Sequence, residues 1–159
     1  MIRYSPVIYL IANDLSKLRT KLSEKVYNEK TEKYRGNQER RISFYGILGE
    51  LIMWEYLSNN QNKFKSAQLI DLKPVVGADI FLDEMKIDVK TIPPEKNYFY
   101  VNKSAHDNQL KDITHYTFVH IISRESAEIN TIPKSDVDRW EVKKSKYTEV
   151  YCKKKKKGE

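Results

Sequence analysis

The sequence has little of what stabilises secreted or membrane-embedded proteins. Its only cysteine is Cys152, which excludes an internal disulfide bond and a zinc site built from cysteines. No apolar run approaches the ~20 residues that a membrane-spanning helix requires. The apolar stretch 7–12 is too short for a signal sequence, and no small-residue cleavage site follows it. These absences predict a cytoplasmic protein without a membrane partner.

Positive charge is abundant. The 159 residues carry 29 Lys and Arg against 22 Asp and Glu, a formal net charge of +7. An excess of this sign favours an anionic partner, with nucleic acid first. The length and the absence of repeats or linkers predict one domain over residues 1–152. The lysine-rich residues 153–159 are expected to form a disordered tail, which either binds phosphate or only adds solubility.

Two helices are predicted in the N-terminal third. Apolar residues at helical spacing predict an amphipathic helix from Asp14 to about Tyr34, with Asn13 as its N-cap. A second helix, from about Gln38 to Leu57, is apolar on nearly every side, which is typical of a buried central helix. Its two glycines, Gly46 and Gly49, indicate close approach of another backbone.

An acidic residue, Glu50, directly follows the second of these glycines. A carboxylate buried in an apolar helix is costly unless it is paired or binds a cation. Glu50 is therefore a candidate for a functional site. A surface position or a structural ion pair is the alternative.

A β-hairpin is predicted over Ala78–Leu82 and Met85–Ile92, with the turn at 83–84. A loop centred there pairs residues whose numbers add up to 167, so Asp79 faces Asp88. The apolar residues of both strands point to the other side and can be buried: Ile80, Leu82, Ile87 and Val89.

Opposed carboxylates normally destabilise a strand pair, and a divalent cation between them removes that repulsion. Asp79 and Asp88 are oxygen ligands of the kind that Mg²⁺ prefers, and the Val89 carbonyl can add a third. Glu50 would bind the ion directly or through a water molecule. Lys90, on the same side as Asp88, would orient the attacking water or stabilise charge on a phosphate.

The remaining pattern alternates short strands and helices. His106, Gln109 and Leu110 fall on neighbouring positions of one of these helices. The predicted elements are a strand at Ala67–Leu72, a strand at Tyr98–Val101, a helix at Ala105–Lys111, a central strand at Tyr116–Ser123, a strand at Glu128–Ile132 and, after Lys134–Asp138, a short helix that holds Trp140.

This order of elements and acids resembles the PD-(D/E)xK superfamily, the restriction-endonuclease-like nucleases. Asp79 matches the first acid of the motif, with Ala78 where proline would stand, and Asp88-Val89-Lys90 matches (D/E)xK. Glu50 matches an upstream helix acid, and Gln109 a glutamine that several branches place near the metal or the scissile phosphate. The resemblance covers about residues 42–122.

The resemblance implies an α/β fold with an αβββαβ core, a central mixed sheet flanked by helices. The N-terminal helix and the basic tail would be additions. It also implies hydrolysis of DNA phosphodiester bonds that leaves a 5′-phosphate, with Mg²⁺ as cofactor and Mn²⁺ as a substitute. The substrate would be double-stranded or branched DNA. Since one chain has one such site, cutting both strands predicts a homodimer with twofold symmetry.

A basic and aromatic cluster follows the motif strand and is a candidate DNA-binding surface. Two other classes stay open: a catalytically inactive nucleic-acid-binding module, and a basic interaction or inhibitor protein whose hairpin acids are ordinary surface residues. In the last case Glu50 would be exposed and far from Asp79. The candidate DNA contacts are Lys96, Tyr98, Lys103 and His106.

Overall fold

The computed structural model describes residues 1–30, 37–67, 69, 77–108, 112–145 and 148–155, and the side chains of 23–30 and 37–39 are left out of the description. None of the helices in these ranges is long and apolar enough to span a membrane. The elements in chain order are β1 (Ile2–Arg3), α1 (Pro6–Lys30), α2 (Asn37–Asn59), β2 (Phe64–Ser66), β3 (Ile80–Leu82), β4 (Met85–Ile92), β5 (Tyr98–Asn102), α3 (Lys103–Asp107), β6 (His115–Ile121), β7 (Ser126–Pro133), a 3₁₀ helix (Lys134–Arg139), β8 (Glu141–Lys144) and β9 (Glu149–Lys154).

The fold is α/β, built on a mixed six-stranded sheet in the order β1-β7-β6-β4-β3-β2. Strands β4 and β6 run parallel, and the other neighbours in this sheet run antiparallel. The predicted central strand, β6, is an internal strand of this sheet. A second sheet of three antiparallel strands has the order β5-β9-β8.

Helix α1 begins at Pro6, eight residues before the predicted start at Asp14. Proline is favoured in the first turn of a helix because its missing N–H would have no partner there. Ser5 caps the helix, since its hydroxyl accepts a hydrogen bond from the Val7 amide at 3.3 Å. Asn13 is therefore an interior residue of the helix, and its predicted role as N-cap was wrong.

Helix α2 lies close against β4, and a glycine makes this approach possible. A Cβ atom added at Gly49 would stand 1.9 Å from Thr91 Oγ1, whereas one added at Gly46 would meet nothing within 4 Å. A neighbour does approach Gly49 closely, but it is the Thr91 side chain and not the predicted backbone, and the prediction is wrong at Gly46. Buried apolar residues continue this contact, including Leu48 and Ile52 of the helix and Val89 of the strand.

The opposite face of the large sheet is covered by the small sheet and the two short helices. Phe99, Phe118 and Val137 are buried in this second core, with Trp140 packed against them. The two cores alternate along each strand: Val119 and Ile121 of β6 belong to the first, Tyr116 and Phe118 to the second.

The disordered basic tail was predicted to start at Lys153, and this start is too early. Lys153 and Lys154 are residues of β9, so the chain is still a strand where the disordered tail was predicted to begin. Lys155 contacts Glu128, and its Nζ lies 2.7 Å from His120 Nδ1. Consecutive lysines are compatible with an ordered chain when some of them find carboxylate partners, as Lys155 does. Residues 156–159 lie outside the described part.

Two other predictions differ from the structure. The strand before the hairpin is β2 at Phe64–Ser66, ahead of the predicted Ala67–Leu72, most of which lies outside the described residues. Helix α3 begins at Lys103, because the Asn102 side chain caps it by accepting the Ala105 amide. Gln109 lies outside the described residues.

The cluster of His120, Glu128 and Lys155 predicts that the stability of the fold depends on pH. Burial, followed by the nearby Lys155 ammonium, lowers the pKa of His120, and the hydrogen bond from Lys155 lowers the pKa of Glu128. A lowered pKa stabilises the fold above the unfolded value, ~6.5 for histidine, and that stability is lost as pH falls. We expect the free energy of unfolding to decrease between pH 7 and 5 by at most about 1.4 kcal/mol per pH unit for this histidine. Urea unfolding at several pH values measures it.

His120→Gln is the matched variant for this measurement, because it removes the titrating group and keeps a polar side chain. The dependence on pH between 7 and 5 should flatten in this variant, while the dependence below pH 5, where Glu128 titrates, should remain. An unchanged slope between pH 7 and 5 would show that His120 does not control it.

Candidate active site

The hairpin has the predicted register. Strands β3 and β4 pair Ile80 with Ile87, Phe81 with Lys86 and Leu82 with Met85, so each pair adds up to 167. The turn at 83–84 is confirmed, with Asp83 in the left-handed region at φ 50°. Aspartate tolerates this conformation better than most residues, because its short side chain can hydrogen-bond locally.

Asp79 lies one residue before β3, where the ladder ends. Its amide donates to the Ile87 carbonyl at 2.8 Å. Its carboxylate accepts the Val89 amide at 2.7 Å. The aspartate side chain thus replaces a backbone acceptor at the open end of the hairpin. This hydrogen bond brings the Asp79 carboxylate to the backbone of the residue that follows Asp88.

Asp88 and Lys90 form an ion pair on β4. The distance from Lys90 Nζ to Asp88 Oδ2 is 2.5 Å, and the side chains are 35% and 2% exposed respectively. The lysine therefore connects a buried carboxylate with solvent. Desolvation of the carboxylate is offset in part by this contact, since a nearby opposite charge stabilises the ionised form.

Asp88 and Lys90 point away from α2. Their neighbours Ile87, Val89 and Thr91 face α2, and side chains alternate along a strand. Asp88 is the register partner of Tyr116 on the parallel strand β6, which belongs to the second core. The helix that carries Glu50 thus packs against the opposite face of the sheet.

Tyr116 belongs to a chain of polar groups that the sequence did not reveal, which runs from the buried Tyr116 and His106 to the exposed Asp138. Its hydroxyl lies 3.0 Å from His106 Nδ1, and His106 Nε2 lies 2.8 Å from Asp138 Oδ1. Burial, with the charges of Asp88 and Asp138, raises the pKa of Tyr116. The phenol therefore stays protonated and can donate to His106 Nδ1, and in that tautomer Nε2–H donates to Asp138.

Of the four candidate DNA contacts, two are bonded to other side chains and two are described by their exposure to solvent. His106 is buried and bonded through both ring nitrogens, so the prediction that it contacts DNA is corrected: it is an interior residue. Lys103 is paired with Asp107, which raises the pKa of the lysine. Lys96 is exposed, and Tyr98 is half-buried on β5.

The donor chemistry of Asp79 and Asp88 suits a hard cation such as Mg²⁺. Glu50 is half-buried on α2. Within the described ranges, no three His, Cys, Asp or Glu side chains form a group that could hold a metal ion, which includes Glu50 with the two aspartates. The structure brings together Asp79, Asp88 and Lys90 around Val89. The Mg²⁺ site with Glu50 as a further ligand stays a prediction.

No family model matches the chain, and no curated protein matches it.

Proposed function

We propose that this protein is a metal-dependent nuclease that hydrolyses DNA phosphodiester bonds at the hairpin of β3 and β4. One observation carries the proposal. The Asp79 carboxylate binds the Val89 amide, and the Lys90 ammonium binds the Asp88 carboxylate, so two acids and a lysine meet around three consecutive residues. This is the residue set that the PD-(D/E)xK resemblance assigns to catalysis.

The order of the elements supports the same proposal. Helix α2, the antiparallel strands β2, β3 and β4, helix α3 and the parallel strand β6 follow the order αβββαβ. Strand β5 is inserted after β4, and the small sheet covers the face where a second helix layer would be expected. We therefore propose a restriction-endonuclease-like core with a three-stranded addition.

Each residue of the set has a distinct role in the proposed reaction. Asp79 and Asp88 would hold the ion, with the Val89 carbonyl as a further ligand. Glu50 lies on α2, against the other face of the sheet, and is not assigned as a ligand. When bound, Mg²⁺ would lower the pKa of a water molecule and offset charge on the phosphate. Lys90 is partly exposed, so its ammonium can donate hydrogen bonds to a phosphoryl oxygen and to the attacking water. Gln109 keeps the supporting role that the resemblance implies.

The proposed partner in solution is a second copy of the chain. One chain supplies one such hairpin, and cutting both strands of a duplex at one position requires two sites. A homodimer with a twofold axis provides them in the symmetry of the duplex. Light scattering with and without DNA reports the assembly, and a monomer under both conditions would limit the enzyme to single-strand cuts.

Cleavage assays on four substrates test the proposal: linear duplex, supercoiled plasmid, branched DNA and single strands. We expect cleavage with Mg²⁺ or Mn²⁺ on at least one of them, with 5′-phosphate ends, and DNA binding without cleavage in Ca²⁺. Cleavage that persists in EDTA, or no cleavage of any substrate with either metal, would contradict it.

A further inference from the structure

The small sheet presents a face that the proposed reaction does not use. Phe99 and Val101 of β5 are buried against the second core, so the alternating residues Tyr98 and Tyr100 point outward. The register places Lys154 of β9 opposite Tyr98. Val150 pairs both with Asn102 of β5 and with Lys143 of β8, so Lys143 stands on the outward side as well. We call Tyr98, Tyr100, Lys143 and Lys154 the tyrosine–lysine face.

The two rings form a continuous aromatic surface. Their centroids are 5.9 Å apart, and the Tyr100 residue is 44% exposed. Lys143 Nζ lies 5.3 Å from the centre of the Tyr98 ring. A tyrosine with this exposure keeps part of its ring open to a planar ligand.

Lysines outnumber acids on this face, which favours an anion. Glu141 pairs with Cys152, the partner of Tyr100, and so shares the side of Lys143 and Lys154. Lys143 bonds Glu141 at 3.2 Å, which raises the pKa of the lysine and keeps it protonated at neutral pH. Lys154 is exposed. Phosphates spaced along a strand can be contacted by lysines that flank stacked bases.

The edge of the small sheet is a poor site for protein association. All four residues of β8 are exposed, and Glu141, Lys143 and Lys144 are charged. Charged residues, lysine above all, discourage the addition of another strand at an edge. Addition of another sheet at this edge is therefore disfavoured, and the rings and ammonium groups of the face have the chemistry that suits nucleic acid.

We propose that the tyrosine–lysine face binds an unpaired DNA strand, with bases stacked on Tyr98 and Tyr100 and phosphates contacted by Lys143 and Lys154. In a duplex the base faces are covered by neighbouring base pairs, so the rings gain nothing from duplex DNA. The face thus directs the hairpin to DNA with a single-stranded segment. The choice of DNA as the strand rests on the proposed function.

Fluorescence anisotropy in EDTA tests this without any cleavage. Labelled oligo-dT and a duplex of equal length are titrated with the wild-type chain and with Tyr98→Ala, Tyr100→Ala and Tyr100→Phe. Each alanine variant should bind oligo-dT roughly 5- to 100-fold more weakly, the range for one lost stack. Tyr100→Phe should bind like wild type because it keeps the ring, and duplex affinity should change less than about 2-fold.

Two control variants separate stacking from general effects. Phe81→Ala removes a similarly exposed strand aromatic from β3, with 40% of the residue exposed, and should leave oligo-dT binding unchanged. Lys154→Ala should lower the slope of log affinity against log salt by about 0.7 on single strands, whereas Lys65→Ala on β2 should not.

Equal losses on duplex and oligo-dT, or wild-type binding by the tyrosine-to-alanine variants, would overturn the proposal. If either result is obtained and the wild-type chain cleaves DNA, the proposed nuclease function is unaffected. Conversely, selective loss of oligo-dT binding in a chain that cleaves nothing would uphold this face and reject the nuclease.

Discussion

Replacing Lys90 with methionine is expected to lower the rate of Mg²⁺-dependent DNA cleavage by about 100-fold or more. The change keeps most of the apolar stem and removes the ammonium that lies 2.5 Å from Asp88. Loss of one positioned group that stabilises developing charge typically costs 10²- to 10³-fold in rate, or about 3–4 kcal/mol. Single-turnover cleavage with saturating enzyme measures the effect.

Lys86→Met is the matched control for this experiment. Lys86 lies on the same strand and the same side as Lys90, and it also pairs with a carboxylate, Asp112, at 2.6 Å. It takes no part in the proposed site, so cleavage should stay within about 2-fold of wild type, as expected for an exposed ion pair. Equal rates for the two methionine variants would remove Lys90 from the mechanism.

Folding must be measured in the same preparations. Asp88 is almost fully buried, and a buried charge that loses its partner can destabilise the fold by ~3–5 kcal/mol. Circular dichroism and DNA binding in Ca²⁺ show whether Lys90→Met is folded at the assay temperature. A folded variant that binds DNA and does not cleave it identifies a catalytic loss.

Replacing Gly49 with alanine is expected to lower the free energy of unfolding by about 1–3 kcal/mol, the usual cost of overpacking a core. The new methyl group would stand 1.9 Å from Thr91 Oγ1, so the Thr91 side chain would have to rotate or α2 and β4 would have to move apart. Urea unfolding gives the value. Thr91→Ala removes the clashing oxygen, and in that background Gly49→Ala should destabilise the protein less.

Gly46→Ala is the matched control on the same helix. A methyl group at Gly46 meets nothing within 4 Å, so the higher helix propensity of alanine should stabilise the protein by up to about 1 kcal/mol. If both alanine variants change stability in the same direction and by the same amount, the close contact between α2 and β4 is not what requires a glycine at 49.

The hairpin could be predicted because its determinants are local. Alternating apolar residues, a two-residue turn and the side-chain period of a strand together determine the pairing, and β3 and β4 have that pairing. The same period of two places the side chains of Asp88 and Lys90 on one side of β4. Helix α2 could be predicted for a similar reason, since its apolar residues surround it on most sides.

Position relative to other elements could not be read from these patterns. Alternation shows that Asp88 and Val89 face opposite sides, but it does not show which side α2 covers. The structure places α2 on the side of Val89, so Asp88 faces Tyr116 and the second core. The prediction that Glu50 converges with both aspartates depended on which side of β4 the helix covers, and the strand pattern does not show that.

The interior role of His106 depends on contacts distant in sequence. Its ring joins Tyr116, ten residues away, to Asp138, thirty-two residues away. A single histidine on a short helix has no local signal for such partners. The ordered start of the lysine run was missed for a related reason, because the carboxylate that contacts Lys155, directly after β9, belongs to β7.

The most direct test of the central claim is the cleavage rate of Asp88→Asn beside wild type, in Mg²⁺, on whichever DNA substrate the wild-type chain cuts. Asparagine keeps the size of the side chain and removes the charge that would hold the ion. We predict cleavage by wild type and a loss of at least about 100-fold in a folded Asp88→Asn variant that still binds DNA in Ca²⁺. Unchanged cleavage in that variant would contradict the assignment of this hairpin as the active site.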